Sequence, residues 1–592
     1  MPPLSPFQGP LRKLALAFDV GTTFSGIAYA ILDPGEVPRI QAVTRFPGQE
    51  NGDFKIPSVL WYTRDGKVRA AGAEARDSQM RLVAEDEDLI FVEWFKLHLR
   101  PQLSSNGGLN KSSLPALPPG KTVVEVFGDF LQYLFRCAKG YIVDTHPNGA
   151  SLWSSVEDRI DVILSHPNGW EGVQQSQMRR AAVLAGLIPD TAVGHGRVHF
   201  VTEGEASLHY CVDSGLASNF IKNGASVMIV DAGGGTVDLS SYTFTTATPI
   251  SVEEISATDC ILQGSTRVNV RAMEFLRAKL RNSRYGNDED LLTMLEQFEK
   301  STKPTFKDFK DRSFIRFGSM RDKDPDFGIR SGQLALEGHE LEKFFEPSIM
   351  AIIEAIVKQR ASASKTIKNV FLVGGFAASP WLFAQLKSLL KPKGIDLSRP
   401  DTHTNKAVAE GAVSFFLEHF VSTRVARFTY GTKCIWMYDP DDPEHILRSA
   451  KVFARPSGTL SVRDGFSVVL AKGVKIRESE EAEQSFNIES EDPKTLNSVL
   501  ADITCYKGNK LKPHWTDMEP EFFSTLCTVY ADTSKVTRYR LLGNNGYYYK
   551  QDFKVVLSCG LTEMKAQISW VENGVEKRGP AKIVYDDDAA AC

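Results

Sequence analysis

The chain has 592 residues, with 69 Lys and Arg against 73 Asp and Glu, a net charge of −4 and a pI near 6.3. That balance excludes a broad basic field for nucleic acid, and the apolar runs all stop short of the ~20 residues of a membrane span. The length exceeds one ordinary hydrophobic core, so two or more domains are expected.

In chain order, MPPLSPFQGPLRK reads as a proline-rich, disordered leader over 1–13. Residues 14–32 read as a β-hairpin whose turn follows FDVGTTFSG, and Ile56 to Tyr62 as a further strand. The stretch 101–120, rich in Ser, Asn, Gly and Pro, is a surface loop; a glycosylation sequon at Asn110 to Ser112 is a chance match. Val126, Phe127, Phe130, Leu131, Leu134 and Ala138 share one helical face, with Gly140 as the expected stop. A buried strand at Asp161 to Leu164 follows, then a helix from Gln174 to Ala185 and a strand from Val198 to Val201. From Val227 the pattern starts again. A second hairpin turns at VDAGGGTVD, and a helix capped by Ser265 or Thr266 presents Val268, Ala272, Phe275, Leu276 and Leu280 inward. A long helix covers His339 to Arg360, kinked at Pro347. A strand, Asn369 to Val373, runs into Gly374-Gly375, and Lys406 to Phe420 is a last helix. After residue 425 helical periodicity gives way to alternation, with Asn573-Gly574 as a two-residue hairpin signal. The expected organisation is a first lobe at 14–222, a second at 223–424, a β-rich domain at 425–585 and a solvated tail at 586–592.

Two segments carry the chemistry. FDVGTTFSG at 18–26 and VDAGGGTVD at 230–238 each run an apolar strand into an aspartate and a Gly/Thr turn. Gly21 and Gly233, Gly234 and Gly235 permit backbone angles closed to other residues, so N–H groups can face outward as an anion cradle. Thr22, Thr23 and Thr236 add hydroxyl donors. Asp19 and Asp231, if the turns face one another, repel by about 4 kcal/mol at ~4 Å and a dielectric near 20. A hydrated Mg²⁺ between them resolves that repulsion. Together they describe a clamp on a nucleoside polyphosphate.

With the third glycine junction, VFLVGGFAASP at 370–380, the chain resembles the sugar kinase–actin–heat shock protein 70 superfamily. It looks most like a divergent heat shock protein 70 family member of the branch without a clear helical lid. FFEPSI at 344–349 and VTEGEAS at 201–207 favour that family over actin. The resemblance covers 14–420. It implies an α/β fold, a duplicated actin-like (ribonuclease H-like) two-lobed ATPase domain followed by a C-terminal β-rich domain. It places Gly21, Thr22, Thr23 and Phe24 at the first phosphate turn, and Asp231, Gly233, Gly234, Gly235 and Thr236 at the second. Asp19 and Asp231 are the expected metal side, Lys96 the lysine facing the terminal phosphate, and Glu203, which shares its segment with Glu205, the carboxylate near the attacking water. Gly374 and Gly375 match the adenosine turn, and Glu299 and Lys303 the segment covering adenine and ribose. ATP/ADP and Mg²⁺ are the implied cofactors, and water attacking the γ-phosphate the implied reaction. Glu203 or Asp231 orients that water.

The chain departs from the family at Phe376 to Ser379, where the base-stacking arginine is missing, and at 420–430, where no interdomain linker motif is visible. Lid helices and the family's acidic terminal tail are also not seen. The functional expectation is a slow ATPase acting as a conformational switch, with a chaperone-like protein or peptide client at the β-rich domain. The alternatives are a non-hydrolysing ATP-sensing adaptor and a small-molecule kinase. Nucleic acid and membrane are not expected partners. The eight cysteines form no CxxC pair and read as reduced thiols, giving a cytoplasmic expectation. Two decoys fail on context. Gly120-Lys121-Thr122 has Pro115 where a P-loop glycine belongs, and Gly194-His195-Gly196 has His199 at the third glycine of a dinucleotide fingerprint.

Overall fold

The structure is a computed structural model that describes residues 4–100, 114–170, 172–218, 220–221, 225–400, 404–477, 480–559 and 563–583. The expected lobe boundary at 222/223, the sequon at 110–112 and the tail at 586–592 lie outside the described residues. The chain divides into two compact units. One comprises Met1–Trp170 and Gln177–Val421, the other Glu171–Ser176 and Ser422–Cys592.

The first unit is mixed α/β and holds two large sheets. In one, strand Lys13–Asp19 pairs antiparallel with Phe24–Leu32, Asp19 opposite Gly26, and parallel with Ile160–His166. In the other, Ser226–Ala232 pairs antiparallel with Val237–Ala247, Asp231 opposite Asp238, and parallel with Asn369–Val373, Asp231 opposite Val373. Each sheet thus sets a hairpin beside a parallel strand. These central strands are buried on both faces, which is why they read as near-continuous apolar runs rather than alternating ones. Helix Val123–Thr145 covers the first sheet with the six predicted side chains, all buried. Helices Ser265–Lys279 and Gly338–Ser362 pack in the core beside the second, with Pro347 inside the longer helix.

Several expectations change. Gly140 does not stop its helix. No atom lies within 4 Å of where its Cβ would be, and the helix continues to Thr145 because intact backbone bonding outweighs one glycine. Thr122, the threonine of the rejected P-loop match, caps that helix in a reciprocal box with Glu125. The leader is not loose at residue 7. The Phe7 N–H donates to the Glu36 carbonyl at 2.9 Å and the Gly35 N–H to the Phe7 carbonyl at 2.8 Å. Neither Ser265 nor Thr266 is a cap; Gly264 holds that position without a side-chain bond.

The second unit has two antiparallel sheets sharing one core, in which Ile503, Val529, Val555, Leu557, Ala566 and Ile568 are buried. Asn573 and Gly574, both at positive φ, join Met564–Glu572 to Val575–Arg578 in the two-residue turn expected of them. The segment read as β-rich also holds a short helix, Pro443–Leu447. No described helix is long and apolar enough to cross a membrane.

Candidate functional site

Both Gly/Thr turns lie in the first unit and touch. A Cβ on Gly234 would collide with the Thr23 side chain, and one on Gly235 with the Thr22 hydroxyl. This corrects the expected reason for the glycines. Gly21, Gly233, Gly234 and Gly235 are not among the positive-φ residues, whereas Gly374, at φ +90°, is. Gly234 and Gly235 are needed for close approach, and Gly21 because a Cβ would strike the Phe24 carbonyl. Nor do all the amides face outward. The Gly21 N–H donates to Ser25 Oγ at 3.2 Å and the Gly233 N–H to the Thr236 carbonyl at 2.9 Å, each closing its own turn. Thr22 and Thr236 are buried, and the Phe24 side chain is 47% exposed.

The second turn is braced from behind. The N–H groups of Ser265 and Thr266, at the start of a fifteen-residue helix, donate to the Gly233 and Gly234 carbonyls at 3.1 and 2.9 Å. Gly374 abuts the turn as well; its positive φ is open to glycine, and its missing side chain lets the backbone pass where a Cβ would meet Asp231 Oδ1 and the Ala232 carbonyl. Gly375 is exposed, with open space where its side chain would be.

Helix Glu203–Asp213 brings two groups in at i, i+4 on one face. Glu203 Oε1 accepts from Lys96 Nζ at 2.6 Å, and Ser207 Oγ donates to Asp231 Oδ2 at 2.7 Å. Glu205 is also buried, but its N–H is spent on the Thr202 cap at 3.2 Å, and Glu203 is the residue that meets Lys96. Lys96 is only 2% exposed. It sits in a 3₁₀ turn opened by Trp94 in the left-handed region, φ 56°, a strained position for a bulky residue. Burial pulls the Lys96 ammonium down, but the Glu203 and Asp19 carboxylates outweigh it and hold it charged.

The first-turn aspartate has a partner that the sequence reading missed. Lys55 Nζ is paired with Asp19 Oδ2, and Ser165 Oγ donates to Asp19 Oδ1 at 3.0 Å. Asp231 has only hydroxyl help. Burial first, then the charges of Glu203 and Asp19, push its carboxyl up to about 7, against the Ser207 bond and the more distant Lys55. A second missed residue is Asp238, the closing aspartate of VDAGGGTVD. It is fully buried, its Oδ1 accepts from the Asn168 N–H at 2.6 Å, and its Oδ2 has no hydrogen-bond partner. Burial and the Glu203 charge raise its carboxyl well above the ordinary range. Asp238 stands where the first hairpin has Gly26, so the repeat gave no sign of it; Lys55 had no signal beyond preceding a buried strand.

Four buried carboxylates, Asp19, Glu203, Asp231 and Asp238, therefore face two ammonium groups, Lys55 and Lys96. Fully ionised, the cluster is two negative charges in excess. That excess and the orphan Asp238 oxygen fit a divalent cation, which takes oxygen ligands and retains waters. No group of three or more His, Cys, Asp or Glu side chains is arranged to hold a metal by itself among the described residues, so an ion there would need phosphate or water oxygens to complete its shell.

Glu299 and Lys303 meet one turn along the bracing helix. Asn269 Nδ2 donates to Glu299 Oε1 and Lys303 Nζ to Asn269 Oδ1, both at 2.8 Å. Lys303 is buried, not solvated, and burial lowers its ammonium pKa against the pull of Glu299. Phe376–Ala378 form a 3₁₀ turn after the glycine pair. The Arg399 guanidinium donates to the Ala377 carbonyl at 3.0 Å and lies 4.4 Å from the Phe383 ring centroid.

No protein-family model matches the chain. It is 24% identical over 536 residues to heat shock 70 kDa protein 12B of Homo sapiens, covering 75% of this chain and 76% of that protein. It is 25% identical over 525 residues to heat shock 70 kDa protein 12A of Mus musculus, covering 73% and 74%. The human 12A protein gives 25% over 532 residues, with the same coverage. The resemblance to a divergent heat shock protein 70 family member is therefore found over about three quarters of the chain as well as in the three glycine junctions.

Proposed function

We propose that this chain is a Mg²⁺-dependent ATP-binding protein with slow ATP hydrolysis, in which a duplicated, two-lobed actin-like unit serves as a nucleotide-driven conformational switch. The observation that carries the reading is the unbalanced carboxylate cluster where two Gly/Thr turns meet. Mg²⁺ would bring two positive charges to those carboxylates, while the triphosphate, itself anionic, would be met by the turn hydroxyls and the Lys96 ammonium.

The chain's own groups divide the work. Thr22, Thr23 and Thr236 offer hydroxyls to phosphate oxygens. Lys96 is a buried, charged donor able to stabilise charge growing on the transferring phosphoryl group once it leaves Glu203. Glu203, or Asp231 with its carboxyl near neutrality, can hold the proton of an attacking water. Gly375 leaves room on the nucleoside side. The Asn269–Glu299–Lys303 group, joined to the second turn through one helix, is the proposed cover for adenine and ribose.

A melting scan tests binding, base and metal together. ATP with Mg²⁺ at a hundred times its dissociation constant adds about 2.7 kcal/mol of stability, whereas GTP, or ATP with EDTA, adds less. No shift with Mg²⁺ and ATP overturns the reading. A non-hydrolysing adaptor is favoured by one specific feature, the pairing of Lys96 to Glu203 at 2.6 Å, which occupies both would-be catalytic groups. Phosphate release in a single turnover separates the two. A strict requirement for a small-molecule acceptor would instead indicate a kinase.

The proposed protein or peptide client belongs to the second unit. There a cavity of about 590 Å³ is lined by Trp436, Tyr506, Trp515 and Phe523 with Glu519 and Lys510. Turnover unaffected by any unfolded peptide counts against that part. A cytoplasmic location remains part of the proposal, and fractionation of the expressed protein tests it.

A further inference from the structure

Lys55 is the cation paired with the carboxylate of the first turn. Strand Ile56–Pro57 pairs with Phe24 and Ser25, which fixes the residue before it beside the turn. The Lys55 side chain is 12% exposed and that of Asp19 is 6%. Both Asp19 oxygens are taken, one by the ammonium and one by the Ser165 hydroxyl. The second turn is the reverse. Among the described residues no Lys or Arg lies within ion-pair distance of Asp231 or Asp238, and Asp238 Oδ2 lacks any donor. Near-twin sequences have thus produced one neutralised and one unneutralised carboxylate site.

We infer that Lys55 is a built-in counter-cation for Asp19, so that a hard divalent ion is ligated from the Asp231–Asp238 side and is not shared between the two turns. The inference deepens the proposed function and rests on it for the ion's physiological source. A lysine ammonium is a compact point charge. Seating a divalent ion on Asp19 would require expelling that charge from a nearly dry pocket, or holding two cations against each other at short range. The opposite turn offers excess negative charge and an undonated oxygen with no such conflict. Lys55 is a positioning residue, because it decides which carboxylates meet the metal.

Mn²⁺ titration followed by the paramagnetic resonance of free Mn²⁺ tests this, on the full chain without nucleotide and again with ATP. Asp19→Asn is expected to change Mn²⁺ affinity less than threefold, whereas Asp231→Asn and Asp238→Asn weaken it at least tenfold. Lys55→Met frees Asp19 and tightens Mn²⁺ at least tenfold or adds a second site. Lys55→Arg keeps the wild-type value. Equal losses for Asp19→Asn and Asp231→Asn overturn the inference, as do an unchanged Lys55→Met or no Mn²⁺ binding by wild type in either condition. Should Lys55→Met fail to fold, the aspartate pair decides alone. If the Mn²⁺ pattern holds while Mg²⁺ and ATP give no thermal shift, the ATP reading falls and the role of Lys55 stands. If ATP binds but the two aspartates lose metal equally, the reverse is true.

Discussion

The turns after Asp19 and Asp231 share a sequence pattern and a strand context, and they differ in what surrounds the carboxylate. Asp19 sits against an ammonium and a hydroxyl; Asp231 sits against a hydroxyl, with Glu203 and Asp238 adding negative charge. The lesson is that a motif fixes where a charged group stands, whereas its energetic sign depends on residues brought in from elsewhere in the chain. Lys55 and Ser165 act on one side, Ser207 on the other.

The largest effect should come from neutralising each aspartate in turn. Asp19→Asn leaves Lys55 buried without its partner and should cost about 3–5 kcal/mol in denaturant unfolding of the apo protein. Asp231→Asn removes an uncompensated negative charge and should be neutral or stabilising by about 1–2 kcal/mol. Effects of the same sign and size would erase the contrast.

Acidity sharpens the same contrast. Burial and the neighbouring carboxylates push the folded Asp231 carboxyl up from the ordinary aspartate range to about 7. The folded state therefore binds the proton more tightly across that interval, and stability falls as pH rises from about 4 to 7. The ceiling from this group is on the order of 4 kcal/mol. Apo melting temperature should drop over that range, and saturating Mg²⁺ should flatten the drop by supplying the cation. Melting at fixed ionic strength from pH 5 to 8 checks it.

Contact between the turns gives the next effect. Gly234→Ala places a methyl group on the Thr23 side chain and should cost about 1–3 kcal/mol. Thr23→Ala should relieve part of that cost, with a coupling energy of about 0.5–3 kcal/mol in a double-mutant cycle. Additive effects would mean that the turns do not press on one another. The smallest effect is a control away from both turns. Gly140→Ala, in open space on a helix, should stabilise by about 0.5–1 kcal/mol.

Much was legible before any coordinates. The hairpins, the helix face Val126 to Ala138, the Asn573-Gly574 turn and the three glycine junctions each follow from periodicity or local backbone chemistry, which act over a few residues. The long-range partners were not legible. Lys55 carried no local signal, and Lys96 and Lys303 were named only through the family resemblance; Lys96 and Lys303 are buried and Lys55 is largely so. The glycines of both turns were rightly singled out for the wrong cause. At Gly234 and Gly235 the missing side chain serves close packing between turns, at Gly21 it serves packing within its own turn, and the positive φ belongs to Gly374.

By itself the sequence determined the strand–aspartate–turn units, since residue spacing and side-chain size set local geometry. Only the tertiary structure decided which turn touches which, that Asp238 joins the cluster, and that two lysines face four carboxylates. Charge balance in a buried site depends on groups from distant parts of the chain, here residues 19, 55, 96, 203, 231 and 238, and no local pattern encodes their sum.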